Sequence, residues 1–174
     1  MVHRMFGRRP SVGALLALPL AALACSPASA TQSSATVTVH ITKPLALSST
    51  GSLNFGTIVM NSLTAPRTVS LSPTNILTCG SGGELACSGA TSVPTYNIQG
   101  TNRSVISIFK NVTQLTNSSD GSKLTLTPSG PTSITLTNSG APGENFTIGG
   151  SITLTPSTSA GLYSGIVNVT VDYQ

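Results

Sequence analysis

Apolar and polar side chains alternate in short runs along most of this sequence, and this period of two limits the fold more than any other feature. The last run is typical, because Val167, Val169 and Val171 alternate with Asn168 and Thr170. Such alternation buries one face of a β-strand and leaves the other in water. Turn-forming Gly, Pro, Asn and Asp residues separate the runs, so we predict many short strands in an antiparallel sandwich or barrel. The apolar positions of the other runs are Val37, Val39 and Ile41; Val69 and Leu71; Ile106 and Ile108; Leu124 and Leu126; Ile134 and Leu136; and Ile152 and Leu154.

Composition excludes several other classes of protein. Only 7 % of the 174 residues are charged, against roughly 25 % in an average globular protein. With 17 Gly and 11 Pro, the chain does not suit a helical bundle or a coiled coil. Hydrophobic residues make up 39 % of it, which is enough for a core and argues against disorder.

The N-terminus predicts export. Three arginines in the first ten residues precede the apolar run Val12–Ala24, and Ala28-Ser29-Ala30 follows. A basic stretch, a short apolar core and an A-x-A site describe a signal peptide, here residues 1–30, and the apolar run is too short for a membrane span of ~20 residues. Lipidation at Cys25 is the alternative to cleavage after Ala30. The mature domain is then 31–174, with no transmembrane segment.

The mature chain has little net charge and two cysteines. Removal of the leader leaves five basic and four acidic side chains, too few and too scattered to predict a nucleic-acid partner. Cys79 and Cys87 remain, and an even pair in an exported chain indicates a disulfide. Free thiols or metal ligands are the alternatives. Zinc would need further Cys or His ligands, and His40 is the only histidine left.

The sequence predicts no enzyme. His40 alternates within a Val/Thr run, so we expect it to face solvent rather than to act as a base. The four carboxylates, Glu84, Asp120, Glu144 and Asp172, are far apart in sequence. We therefore predict no catalytic, cofactor-binding or metal residues. A hydrolase that uses these dispersed carboxylates is a third alternative for the function, after the two described below.

The C-terminus carries a resemblance to a known class of protein. Gly161 is fourteenth from the end, Tyr173 is penultimate, and an alternating run lies between them. This pattern resembles the C-terminal strand of chaperone–usher pilus subunits. Nearly the whole mature chain is also similar to the exported bacterial family called domain of unknown function 4402, which is related to fimbrial subunits. The segments that carry this second resemblance are Leu53-Asn54-Phe55-Gly56-Thr57-Ile58, Tyr96-Asn97-Ile98-Gln99-Gly100, Phe146-Thr147-Ile148-Gly149-Gly150, Gly161-Leu162-Tyr163-Ser164-Gly165 and Val169-Thr170-Val171-Asp172-Tyr173.

The resemblance implies an immunoglobulin-like, pilin-like β-sandwich that lacks one strand. An apolar groove then accepts a strand first from a periplasmic chaperone and later, at the usher, from a neighbouring subunit. Residues 31–41 are the candidate donor, with Val37, Val39 and Ile41 as the inserted side chains. The alternative is that this segment is the first strand of its own sheet. The candidate C-terminal assembly strand, either an edge of the groove or a chaperone contact, comprises Gly161, Tyr163, Val167, Val169, Val171 and Tyr173.

Two functions from different classes fit these observations. The first is a non-enzymatic structural subunit of a bacterial surface fimbria or fimbria-like coat that supports adhesion. It would self-associate or bind a chaperone and usher, and would pass through the periplasm to the cell surface or the medium. The second is a self-contained secreted β-sandwich module that recognises a glycan or a matrix component through its loops.

Overall fold

The computed structural model describes residues 31–80 and 82–174, so the predicted signal peptide and Cys25 lie outside the described residues. All regular structure in these two ranges is β-strand, and no helix there is long and apolar enough to cross a membrane. Every strand pairing is antiparallel, and none of the sheets closes into a barrel. The fourteen strands are β1 (Ala46–Thr50), β2 (Thr57–Met60), β3 (Arg67–Leu71), β4 (Leu77–Thr78), β5 (Leu85–Ser88), β6 (Thr95–Gln99), β7 (Val105–Lys110), β8 (Thr113–Asn117), β9 (Lys123–Ser129), β10 (Ser133–Thr135), β11 (Glu144–Thr147), β12 (Gly149–Leu154), β13 (Tyr163–Ser164) and β14 (Val169–Tyr173).

Two three-stranded sheets enclose the first core. Their strand orders are β1-β6-β11 and β10-β7-β14. Alternate residues of β6 and β7 point inward, which is why Ile98 and Ile106 are fully buried, and the ring of Tyr96 stacks on that of Phe146 with centroids 5.1 Å apart. The buried members of the first core are Tyr96, Ile98, Ile106, Ile108, Leu136, Phe146 and Ile148.

A six-stranded sheet and a two-stranded sheet contribute the second core. The larger sheet has the order β13-β8-β9-β12-β3-β4, and the smaller one is the pair β2-β5. The buried members of the second core are Val69, Leu85, Leu124, Leu126, Ile152 and Leu154. All but Leu85 belong to alternating runs that the sequence identified. The predicted antiparallel β-sandwich is therefore confirmed.

The N-terminal alternating run is the exception. No strand is formed before β1, and the side chains of Val37, Val39 and Ile41 are 89 %, 78 % and 81 % exposed. The alternative that the candidate donor segment, residues 31–41, forms the first strand of the domain's own sheet is thus not seen, because a strand needs a partner edge as well as a period of two. The first strand in the described part of the chain is β1.

The predicted disulfide is present. Cys79 and Cys87 are bonded, with their Cα atoms 5.9 Å apart. Cys79 directly follows β4 and Cys87 lies in β5, so the bond joins the six-stranded sheet to the two-stranded sheet.

Candidate functional site

An open groove of about 790 Å³ exposes part of the second core. One wall is formed by residues of segment 51–60, which includes β2, and the other by residues 158–167, which include β13. The floor is apolar and comes from the six-stranded sheet: Leu115, Leu124, Leu126, Ile152 and Leu154. None of the described residues that line the groove is charged. The groove therefore suits an uncharged ligand with apolar side chains.

Both walls of the groove present a sheet edge. β13 is the terminal strand of the six-stranded sheet and pairs only with β8, while β2 pairs only with β5. Within the described residues, nothing pairs with the second edge of either strand. An edge strand offers unsatisfied backbone N–H and C=O groups. The groove thus combines an apolar floor with backbone hydrogen-bonding groups along both sides.

Gly161 shapes the second wall by its contact with Asn117. Asn117 is 1 % exposed and is the one buried polar side chain among the described residues. Its Nδ2 donates to the carbonyl of Ala160 (3.1 Å), and its Oδ1 accepts from the N–H of Ser119 (2.9 Å). Gly161 has φ +150°, and a Cβ there would lie 2.6 Å from Nδ2 of Asn117 and collide with its Oδ1. The wall therefore needs glycine at this position.

The remaining predicted C-terminal residues fall in two strands rather than one. Tyr163 in β13 packs against the second core, and its hydroxyl bonds Ser122 Oγ (3.0 Å) and the carbonyl of Ser159 (2.9 Å). Val169, Val171 and Tyr173 in β14 pack against the first core, and Val167 between the two strands contacts both cores. The single C-terminal strand expected from the sequence is thus divided, because the chain passes from one sheet to another between Ser164 and Val169.

The hydroxyl of Tyr173 fixes the backbone at Lys43, shortly before β1. Its hydroxyl donates to the carbonyl of Lys43 (2.6 Å) and accepts from the N–H of Thr101 (2.9 Å). The N–H of Lys43 in turn donates to Thr101 Oγ1 (2.7 Å). Gly100 leaves room for the phenol, because a Cβ at Gly100 would lie 2.7 Å from this hydroxyl. The backbone at Lys43 is therefore held next to Tyr173 and Thr101.

The four carboxylates each have separate local partners. The Arg67 guanidinium and the Thr64 hydroxyl hydrogen-bond Glu84 and lower its pKa. Hydrogen bonds from Ser122, first from its N–H, lower the pKa of Asp120. Glu144 accepts from Thr137, and Asp172 accepts from the N–H of Tyr173 (2.8 Å). Across 31–80 and 82–174, no group of three or more His, Cys, Asp or Glu residues is placed to hold a metal ion.

Sequence reasoning did not find the first wall of the groove. Leu53, Phe55 and Ile58 pack against the second core, and all three line the groove. In the sequence, the segment 53–58 is distinguished only by its resemblance to the family. The alternation of Leu53 and Phe55 with polar neighbours was the available physical signal, but it does not show that this edge is left unpaired.

Comparison with protein-family models gives a match over most of the chain. A protein-family model described as "Domain of unknown function (DUF4402)" matches residues 45–173, from the residue before β1 to the penultimate residue of the chain. No curated protein and no solved structure matches significantly.

Proposed function

The chain belongs to the family described as domain of unknown function (DUF4402), and from that premise we propose that it is a non-enzymatic structural subunit of a bacterial fimbria or fimbria-like coat, assembled by strand donation. The observation that carries this proposal is the open apolar groove with an unpaired strand edge in each wall. A strand inserted there would gain backbone hydrogen bonds on both sides and bury apolar side chains on the floor. Adhesion and export belong to the same proposal.

The occupant we propose is the segment 35–41 of a second copy. Its sequence Ala-Thr-Val-Thr-Val-His-Ile contains no acidic residue, Lys or Arg, in keeping with the uncharged lining of the groove. Val37, Val39 and Ile41 share one face in an extended conformation and are exposed in the isolated chain. The segment therefore has the alternating pattern and the apolar face that a strand bound in this groove needs.

The geometry of the folded body favours donation between molecules over self-insertion. Ile41 is 81 % exposed and is not among the residues that line the groove of its own chain. Lys43, two residues later, is held by the hydroxyl of Tyr173, and neither of these residues lines the groove. A donor segment that does not occupy its own groove, and a groove that accepts a second copy, predict an open, head-to-tail assembly.

Light scattering of the mature chain, residues 31–174, tests the proposal. We expect its mass to rise with concentration, and we expect a variant lacking residues 31–41 to stay monomeric. A peptide spanning Ala35–Ile41 added in trans should bind the shortened variant and raise its melting temperature. The matched control is the same peptide with Val37, Val39 and Ile41 replaced by Ser, which should do neither.

Two results would contradict strand donation. One is a stable monomer whose mass and melting temperature do not depend on residues 31–41. The other is equal binding of the native and Ser-substituted peptides. The first result would favour the self-contained binding module instead.

A further inference from the structure

The Cys79–Cys87 disulfide lies directly behind the first wall of the groove. In the pairing of β2 with β5, Cys87 is opposite Ile58, and the side chain of Ile58 lines the groove. Cys79 follows β4, the last strand of the six-stranded sheet that provides the floor. The bond therefore connects the wall to the sheet that carries the floor.

Apart from the disulfide, the wall is joined to that sheet by side-chain packing of Leu53, Phe55 and Ile58 on the second core and by one ion pair. The β2-β5 ladder continues into no other sheet of the described chain. At the same end, Glu84 is ion-paired with Arg67 of β3, and Thr64 Oγ1 donates to Glu84 Oε1 (2.9 Å). The Arg67 and Glu84 side chains are 38 % and 16 % exposed, so the pair is partly solvated, and such a pair fixes a distance less strictly than a covalent bond. Besides the main chain, the disulfide is the covalent cross-link between wall and sheet.

The backbone between the two cysteines cannot replace this link. Gly80, Gly82 and Gly83 lie within it, and a Cβ at Gly82 or Gly83 would meet no atom within 4 Å. Glycine has the largest conformational freedom of all residues, and the carbonyl of Gly83 accepts a hydrogen bond from Asn61 Nδ2 (2.9 Å). Without the disulfide, the position of the wall would depend on this flexible backbone, on that hydrogen bond and on side-chain packing.

We propose that the Cys79–Cys87 disulfide is a positioning element that sets the distance between the first wall and the floor, so that the affinity of the groove for a strand depends on its oxidation. This inference rests on the proposed function. A dithiol reductant would break the S–S bond and transfer two electrons and two protons, giving the Cys79 and Cys87 thiols and leaving its own sulfurs as a disulfide. Both cysteines are half-buried and not fully enclosed.

The test compares the oxidised mature chain, the chain treated with dithiothreitol, and the Cys79→Ser/Cys87→Ser double variant. Binding of a fluorescent peptide spanning Ala35–Ile41 is measured by anisotropy at low protein concentration. We expect the affinity to fall at least tenfold in both forms that lack the bond. Hydrogen exchange, which reports local opening, is measured in parallel on the same samples. We expect it to accelerate at least tenfold at the amides of 57–60 and to stay unchanged in 169–173.

The two measurements separate failure of this inference from failure of the proposed function. Equal peptide affinity with and without the bond would overturn the inference and leave strand donation standing. If hydrogen exchange at the amides of 57–60 is the same with and without the disulfide, the inference is also overturned, whatever the peptide affinity. Faster exchange throughout 169–173 would also overturn it, because the bond would then stabilise the whole domain rather than position one wall. Failure of the peptide to bind any form would refute strand donation, and the inference with it.

Discussion

Substitution of Gly161 by Ala tests the close contact that shapes the second wall of the groove. The new Cβ would collide with Oδ1 of Asn117 and lie 2.6 Å from its Nδ2. Asn117 is 1 % exposed, so it has no room to move into solvent without giving up its two hydrogen bonds. The variant must therefore strain the backbone, and it must also break these bonds to relieve the collision.

The expected loss of unfolding free energy follows from two contributions. A residue with a side chain held at φ +150° costs about 1–3 kcal/mol. Losing the hydrogen bonds of Asn117 to Ala160 and Ser119 costs about 1 kcal/mol each. We expect a total of about 3–5 kcal/mol, a large part of the 5–15 kcal/mol that typically stabilises a domain. Urea denaturation followed by circular dichroism or tyrosine fluorescence measures it, since the chain has no Trp.

Gly121 provides the matched control. It also has a positive φ, +75°, but a Cβ there meets nothing within 4 Å. Gly121→Ala should cost only the left-handed backbone penalty of about 1–2 kcal/mol. The reasoning is refuted if the two variants agree within about 0.5 kcal/mol, the limit at which such differences are resolved. It also fails if the extra cost of Gly161→Ala is unchanged in an Asn117→Ala background, where the colliding atoms are gone.

Two further predictions concern polar contacts of residues that do not line the groove: the Arg67–Glu84 ion pair and the hydrogen bonds of the Tyr173 hydroxyl. The Arg67 guanidinium lowers the pKa of Glu84 below its ordinary value of 4.5, so the ion pair stabilises the fold above that pH and its contribution is lost as the pH falls through the folded pKa. Urea midpoints measured between pH 7 and 3 should show a steeper acid-side decline in the native chain than in Glu84→Gln, and parallel curves would contradict this. Tyr173→Phe removes the hydroxyl that bonds Lys43 and Thr101 and should lower the unfolding free energy by about 1–2 kcal/mol. An unchanged urea midpoint for Tyr173→Phe would show that water replaces both bonds without cost.

Much of the fold could be predicted from local pattern. The alternating runs around Val69, Ile106, Leu124 and Ile152 all form strands with their apolar residues buried. Their period of two is a property of the strand itself, so it can be read without knowing the partner. The disulfide was also predictable, because only two cysteines remain after the leader.

Long-range pairing could not be predicted in the same way. Residues 36–41 alternate as regularly as residues 167–173, yet only the latter contain a strand. Alternation shows which side chains share a face and does not show whether an edge is available. The walls of the groove come from segments 51–60 and 158–167, far apart in the sequence, and only the fold brings them together. The division of the C-terminal run between two sheets could not be predicted either, because the interruptions of its alternation at Leu162 and Ile166 do not show which sheet each part joins.

The passage of the C-terminal run from one sheet to another has a consequence for folding. β13 and β14 belong to different sheets, and Val167 contacts both hydrophobic clusters. β13 is a terminal strand of the six-stranded sheet, and β14 is a terminal strand of the β10-β7-β14 sheet. One short segment of chain therefore completes an edge in each half of the sandwich, so docking of residues 163–173 couples the completion of one half to that of the other.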